Sequence, residues 1–373
     1  MAHSPTTSRQ QVWAGTMAGT AGPDGIVLAH RAGGHPVGAA PVPRQAREEA
    51  EAASLAPGAT RALGAGRRTY PEAPDRWRTC FERDRDRILH APAFRRLAGK
   101  TQVFVFPADH QRTRLTHALE VSQVATAVAR ATGLNVALVE AMALGHDCGH
   151  GPGGHASEDA FEAFVPDFHH ASWGADVVLA PLNLCAETLD GIRNHSWSRP
   201  APTTPEGELL SWADRCAYCA HDLEDAVRAG VVDPGDLPDE VVAVVGRDRA
   251  SQLHAFIDAL VHGILDHGVV GMAAEPAAAL RALRAFNYER IYMRPASLAQ
   301  GQAVVAVLRA LVERYAERPD LLPGGWEAPG ASADPVHRAV AYVAGMTDRF
   351  AFHSAVDLLG WDPAHLPRGV DAP

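Results

Sequence analysis

Five Cys in 373 residues are too few for a disulfide framework, and residues 1–11 lack the basic-then-apolar pattern of a secretion signal. Both point to a reducing cytoplasm. No uninterrupted run of 18 apolar residues occurs; even the segment from Val136 to Leu144 is broken by Glu140 and runs into His146, so no membrane span is expected. Positive charge is short as well. Lys plus Arg number 34 against 44 Asp plus Glu, a formal charge of −10, which disfavours a large nucleic-acid-wrapping surface and leaves room for a local basic pocket that takes a small anion. Val/Ile/Thr alternations are almost absent, which argues against a β-rich fold.

What is abundant is apolar content, at 47%, enough for one large core or two modest ones. Histidine is the unusual residue: there are 19, and a run of them from His90 to His221 concentrates the chemistry in one stretch. Residues 1–60 are rich in Gly and Pro with no helical or alternating period, and read as a flexible tail. From about Asp75 the amphipathic pattern begins, and the domain is expected to span about 75–360. Arg114 to Thr132 and Asn135 to Gly145 read as an antiparallel helical pair, with Leu115, Leu119, Val124 and Val128 along one stripe and Asn135 as N-cap. Further helices are expected over Ser172 to Leu179, Cys185 to Arg193, Glu206 to Arg228, His254 to His267, Ala277 to Tyr292, Leu298 to Arg318 and Val336 to Leu359. Leu321 to Pro335 reads as a long surface loop. The fold class is all-α.

His146-Asp147, adjacent at the end of an apolar helix, is the sharpest local signal, because an apolar helix gains nothing from such an ending. Both side chains can reach one metal ion there. His117, one helix earlier, returns beside them in a helical hairpin. A fourth ligand is sought in a later helix, where Asp214, Asp222 and Asp225 are available and Asp214 is preferred. Two imidazoles and two carboxylates suit Mn, Fe, Co, Mg or Zn and argue against a thiolate zinc site. Cys216 and Cys219 share one helix and have no second pair, so packing is their expected role.

The blocks Arg112-Thr113-Arg114-Leu115-Thr116-His117, His146-Asp147-Cys148-Gly149-His150, Ala213-Asp214 with Ala217-Tyr218, and Gly345-Met346-Thr347-Asp348-Arg349, in this order, resemble the deoxyguanosine triphosphate triphosphohydrolase family of the HD-domain superfamily. The resemblance covers roughly residues 84–350. It implies a helical bundle, with an HD core at about 112–228 and a C-terminal helical part at about 250–360. It also implies one divalent metal held by His117, His146, Asp147 and Asp214, and decides for Asp214 over Asp222 and Asp225. The implied reaction is attack of water on the α-phosphorus of a deoxynucleoside triphosphate, releasing a deoxynucleoside and tripolyphosphate. His155 and Glu158 are then the catalytic pair, with the carboxylate orienting the imidazole. His150, His170 and Arg114 would face the phosphates, and Gln102, Tyr218 and Asp222 the sugar. Homo-oligomerisation comes from the same resemblance; an activating nucleotide or single-stranded nucleic acid is a further expected partner, the latter suggested by the basic face of Arg95, Arg96 and Lys100. Another HD phosphohydrolase activity, or a nucleotide-sensing protein with weak catalysis, is the alternative. One departure stands out: the family carries Phe two residues before the histidine equivalent to His155, where this chain has Gly153.

Overall fold

The computed structural model describes residues 8–107, 110–327 and 332–367, in two units divided between Val42 and Pro43. The first contains the helix Ser8–Thr16, which buries no side chain, and a two-stranded antiparallel pairing of Thr20–Ala21 with Val27–Leu28. The second is built of helices. Among the described residues that small pairing is the only sheet, so the chain is all-α.

The second unit begins earlier than the composition suggests. Arg44–Ser54 is a helix that buries Glu48, and its Arg47 forks onto Glu82. Beyond it, the Ala56 amide donates to Gly133 O at 2.9 Å, and Ala59 and Ala62 enter the core. Thr60 donates through its amide and hydroxyl to the buried Glu206 carboxylate, which also takes the Asn135 amide. Residues 43–60 therefore belong to the fold and not to the tail. Their partners lie 35 to about 150 positions away in sequence, so no local period announces them.

The helices Arg114–Thr132 and Val136–Gly145 form the expected antiparallel hairpin. Its turn is set by Gly133 at φ +71°, and Asn135 caps the second helix by accepting from the Leu138 amide. The buried stripe is Ala118, Val121, Val124, Ala125 and Val128, whereas Leu119 is exposed. Small residues let the hairpin pack closely on Cys80–His90 and Pro205–Arg228. Each fully buried Val or Leu in these faces contributes about 1.5–3 kcal/mol.

A second core gathers Phe161, Phe168, Val304, Leu308, Val340 and Phe352 around the helices Pro295–Glu317, Pro335–Ala344 and Asp348–Leu359. Pro295–Glu317 is long and apolar enough to cross a membrane by length and composition, although polar residues interrupt its apolar runs. Here its Val304, Val307, Leu308, Leu311 and Val312 are buried in that core. The single helix expected over Val336 to Leu359 is two, because the chain turns at Gly345 and Met346 and Thr347 caps a new start by accepting from the Phe350 amide. Two other expected helices end in π-helical turns: His170–Trp173 passes into Gly174–Val178, and Ala274–Asn287 into Tyr288–Tyr292. Asp239–Val245 is an additional short helix. The loop expected from Leu321 to Pro335 falls partly outside the described residues.

Candidate metal centre and pocket

The Val136–Gly145 helix delivers His146 and Asp147 to a buried point facing the start of Arg114–Thr132 and the middle of Pro205–Arg228. The backbone fixes the histidine's tautomer. His146 Nδ1 lies 2.7 Å from Ala143 O, an acceptor only, so Nδ1 carries the proton and the Nε2 lone pair faces inward. That buried Nε2 has no hydrogen-bond partner. It stands 3.4 Å from Asp147 Oδ1 and 3.6 Å from Asp214 Oδ1. His117 Nε2 stands 3.0 Å from Asp214 Oδ1 and 3.9 Å from Asp147 Oδ2. Two overlapping groups could hold a cation, His117 with His146 and Asp147, and His146 with Asp214 and His195, so the four expected ligands divide between groups that share His146. Burial opposes ionisation of both carboxylates, but the Arg114 guanidinium beside Asp147 and the imidazole of His117 beside Asp214 hold them below the ordinary range. Buried anions facing an unpartnered imidazole nitrogen fit a divalent ion.

A second histidine layer lies alongside. His150 Nε2 is 3.2 Å from Asp147 Oδ1, and its ring stacks on His170 with centroids 3.8 Å apart. Gly149 makes this approach possible, since a Cβ there would meet His170 O at 2.0 Å. Glu158 grips His170, accepting from its ring Nδ1 and from its amide at 3.1 Å, and its other oxygen is 3.6 Å from His155 Nδ1. The carboxylate expected to serve His155 therefore serves His170 first. His155 itself is 72% exposed at the side chain and reaches the pocket from its rim.

His195, which the sequence reading left unassigned, completes this layer. Its Nδ1 donates to Ile192 O at 2.8 Å, leaving an Nε2 lone pair 3.2 Å from His170 Nε2. The proton of His170 is likewise committed to Glu158, so two acceptor nitrogens face each other, an arrangement that calls for a proton or a cation between them. Asp147, His170 and His195 also lie close enough to share an ion.

Above these groups opens a pocket of about 460 Å³. Gln102, Arg114, His150, His170, Tyr218 and Asp222 all line it, so every residue expected to touch substrate is present. Arg114 Nη1 is engaged with Asp147 Oδ2 at 2.7 Å. Gln102 Oε1 is buried without a hydrogen-bond partner. Asp222 accepts from Tyr292 at 2.5 Å, and burial pushes its carboxyl up to about 6. Residues from the C-terminal part close the other wall: Arg284 donates to the Tyr218 hydroxyl at 2.9 Å, with Tyr288 and Tyr292 beside it. Arg215 lies over the Trp197 ring at 3.4 Å. Arg215, Arg284, Tyr288 and Tyr292 were not legible in spacing, because the helical segments that carry them are ordinary amphipathic ones.

The departure at Gly153 also has a local cause. It sits at φ +72°, and a Cβ there would come 2.4 Å from Val304 Cγ1, so Val304 fills the apolar place that a side chain at 153 would occupy. Cys216 and Cys219 are buried free thiols, as expected of packing residues.

The model of the HD domain matches residues 114–219, and that of the phosphohydrolase-associated domain residues 270–355. Curated relatives include the deoxyguanosinetriphosphate triphosphohydrolase-like protein of Caldanaerobacter subterraneus subsp. tengcongensis, 38% identical over 83% of this chain and 93% of its own. Proteins of the same description occur in Clostridium perfringens, 39% identical over 75% of this chain and 86% of the relative, and in Desulfatibacillum aliphaticivorans, 36% identical over 83% and 95%.

Proposed function

Because the chain belongs to the deoxyguanosinetriphosphate triphosphohydrolase-like family of HD-domain hydrolases, we propose that it cleaves deoxynucleoside triphosphates, dGTP among them, to deoxynucleoside and tripolyphosphate. The observation that carries this reading is the set of 3.0–3.9 Å approaches among His117, His146, Asp147 and Asp214, three of which line a pocket large enough for a nucleotide, beside Arg114 and the His150–His170 stack. Those four residues would hold one divalent ion, from among Mn, Fe, Co, Mg and Zn, which supplies Lewis-acid polarisation of a phosphoryl oxygen and acidifies water.

The protein's own groups do the remainder. The oxygen of water bonds to the α-phosphorus and gives up one proton, the bond from that phosphorus to the 5′-oxygen breaks, and the 5′-oxygen takes up one proton in turn. His155, at the rim and close to Glu158, is placed to give that proton. Glu158 keeps His170 oriented toward the phosphates through Nδ1. Arg114 offsets the charge that builds on the α-phosphate, sharing itself with Asp147. Tyr218, one helical turn past Asp214, presents its ring where a 2′-hydroxyl would sit and favours deoxyribose. Gln102 offers its unpartnered Oε1 to a sugar hydroxyl.

The test is product analysis. Purified protein is incubated with each of the four deoxynucleoside triphosphates and with GTP, with Mn or Mg, and resolved by anion-exchange chromatography. Deoxynucleoside with tripolyphosphate is expected; orthophosphate or pyrophosphate would mean a different phosphohydrolase. In the same assay His146→Ala should lose both bound metal and turnover, whereas His155→Ala should lose turnover and keep metal.

A further inference from the structure

Lys100 is the only lysine of the chain; every other member of its 34 Lys plus Arg is arginine. It is not on the surface. The side chain is buried, and its Nζ donates to the backbone carbonyl of His150 and, at 2.9 Å, to that of Ala344. A compact ammonium with three donors on a slim stem fits between two carbonyls where a planar guanidinium does not. Ala344 is the last residue of the Pro335–Ala344 helix, so the ammonium also meets the negative end of that helix.

Asp348 faces the same joint from the other side of the chain's turn at Gly345 and Met346. It too is buried. Its Oδ2 accepts from the Thr101 amide at 3.0 Å and the Thr101 hydroxyl at 2.5 Å, and its Oδ1 accepts from the Gly153 amide at 2.9 Å. Three of the four backbone points so gripped, at Thr101, His150 and Gly153, line the pocket, and the fourth is the helix end at Ala344. Thr101 precedes Gln102, His150 faces Asp147, and Gly153 lies two residues before His155. Gly99 is fitted against Thr347, where a Cβ would come within 2.8 Å of its side chain. The joint is thus tight on every side, and among the described residues neither Lys100 Nζ nor the Asp348 carboxylate has another hydrogen-bonded partner in it.

We propose that Lys100 and Asp348 are positioning residues through which the C-terminal helices set the geometry of the phosphate-facing loop 150–155 and of Gln102. They touch no substrate. Asp348 holds the two walls of the pocket at a fixed separation with one carboxylate, and Lys100 ties the back of His150 to the helix end that Asp348 follows. A displacement of Asp348–Leu359 moves His150, His155 and Gln102 together, which makes the C-terminal part a handle on turnover. The kinetic half of this inference rests on the phosphohydrolase reading; the structural half does not.

The variants are Asp348→Asn, which keeps the shape and loses charge and acceptor strength, and Thr101→Val, which removes one of the three bonds in case the first does not fold. Hydrogen exchange on the full chain is expected to rise in peptides covering 99–104 and 149–156 while the Val136–Gly145 helix stays protected. Bound metal should be unchanged and kcat should fall about 10- to 100-fold, the scale of a misplaced catalytic group, with little change in KM. In the His155→Ala background, Asp348→Asn should cost far less than it does alone, because the group it positions is gone. Unchanged exchange in both segments, a uniform rise over the whole chain, or full additivity with His155→Ala would overturn the proposal. If the wild-type protein hydrolyses no deoxynucleoside triphosphate, the proposed function fails, and exchange alone still decides whether the joint holds the loop.

Discussion

At the scale of single residues, the site works by committing protons elsewhere. His146 and His195 each donate Nδ1–H to a carbonyl one turn back, at 2.7 and 2.8 Å, and His170 gives its own to Glu158, so three Nε2 lone pairs face inward. Asp222 shows the opposite arrangement. Burial raises its carboxyl to about 6, so its contribution to stability is fully present below the unfolded carboxylate value near 4 and is lost as pH rises through about 6. Asp222→Asn, which retains an oxygen to accept from Tyr292, should remove that dependence. Thermal unfolding of the two proteins between pH 3 and 8 is expected to diverge from about pH 4 and to level off above about pH 6, with the variant gaining up to about 3 kcal/mol relative to wild type; parallel curves would show that Asp222 is ionised without cost. His117, His146 and Asp147 were legible because an apolar helix gives no other reason for such an ending. His195, Arg284 and Tyr292 were not, since nothing in their own segments distinguishes a pocket face from a packed one.

At the scale of elements, the accuracy of the reading follows how local the determining interaction is. Arg114–Thr132 begins and ends where expected, because its glycine stop lies one residue beyond it. The C-terminal helix expected as one piece is broken by the joint that Asp348 and Lys100 occupy, whose partners are about 200 to 250 positions distant. Gly153 belongs to the same class. Replacing it with Ala forces a side chain into φ +72° and against Val304, costing roughly 1–2 kcal/mol in backbone strain and a further 1–3 kcal/mol in overpacking. Urea denaturation should show the loss, and adding Val304→Ala should return only the packing part. A Gly153→Ala protein as stable as wild type would mean that the loop moves freely away from Pro295–Glu317.

For the whole molecule, the boundary at Pro43 makes a prediction that composition would get wrong. A chain starting at residue 43 should keep the unfolding temperature of the full protein, since the core-forming contacts lie within the second unit. A chain starting at residue 61 should be less stable by about 3 kcal/mol or more, because Glu206 is left buried without Thr60 and Glu82 loses Arg47. Calorimetry of the two truncations distinguishes them, and equal stability would return residues 43–60 to the tail.

The sequence by itself determined the helical class, the hairpin that carries His117 and His146, and the residue types of a nitrogen and oxygen metal site. Each of these depends on spacing within a turn or on a cap within a few residues. The tertiary structure decided where the compact unit begins, that Glu158 serves His170 before His155, that His195 joins the site, and that the C-terminal helices grip the pocket's loop. Those are bonds between buried polar groups 12 to about 250 residues apart in the chain, and their partners are chosen by packing, which no local period records.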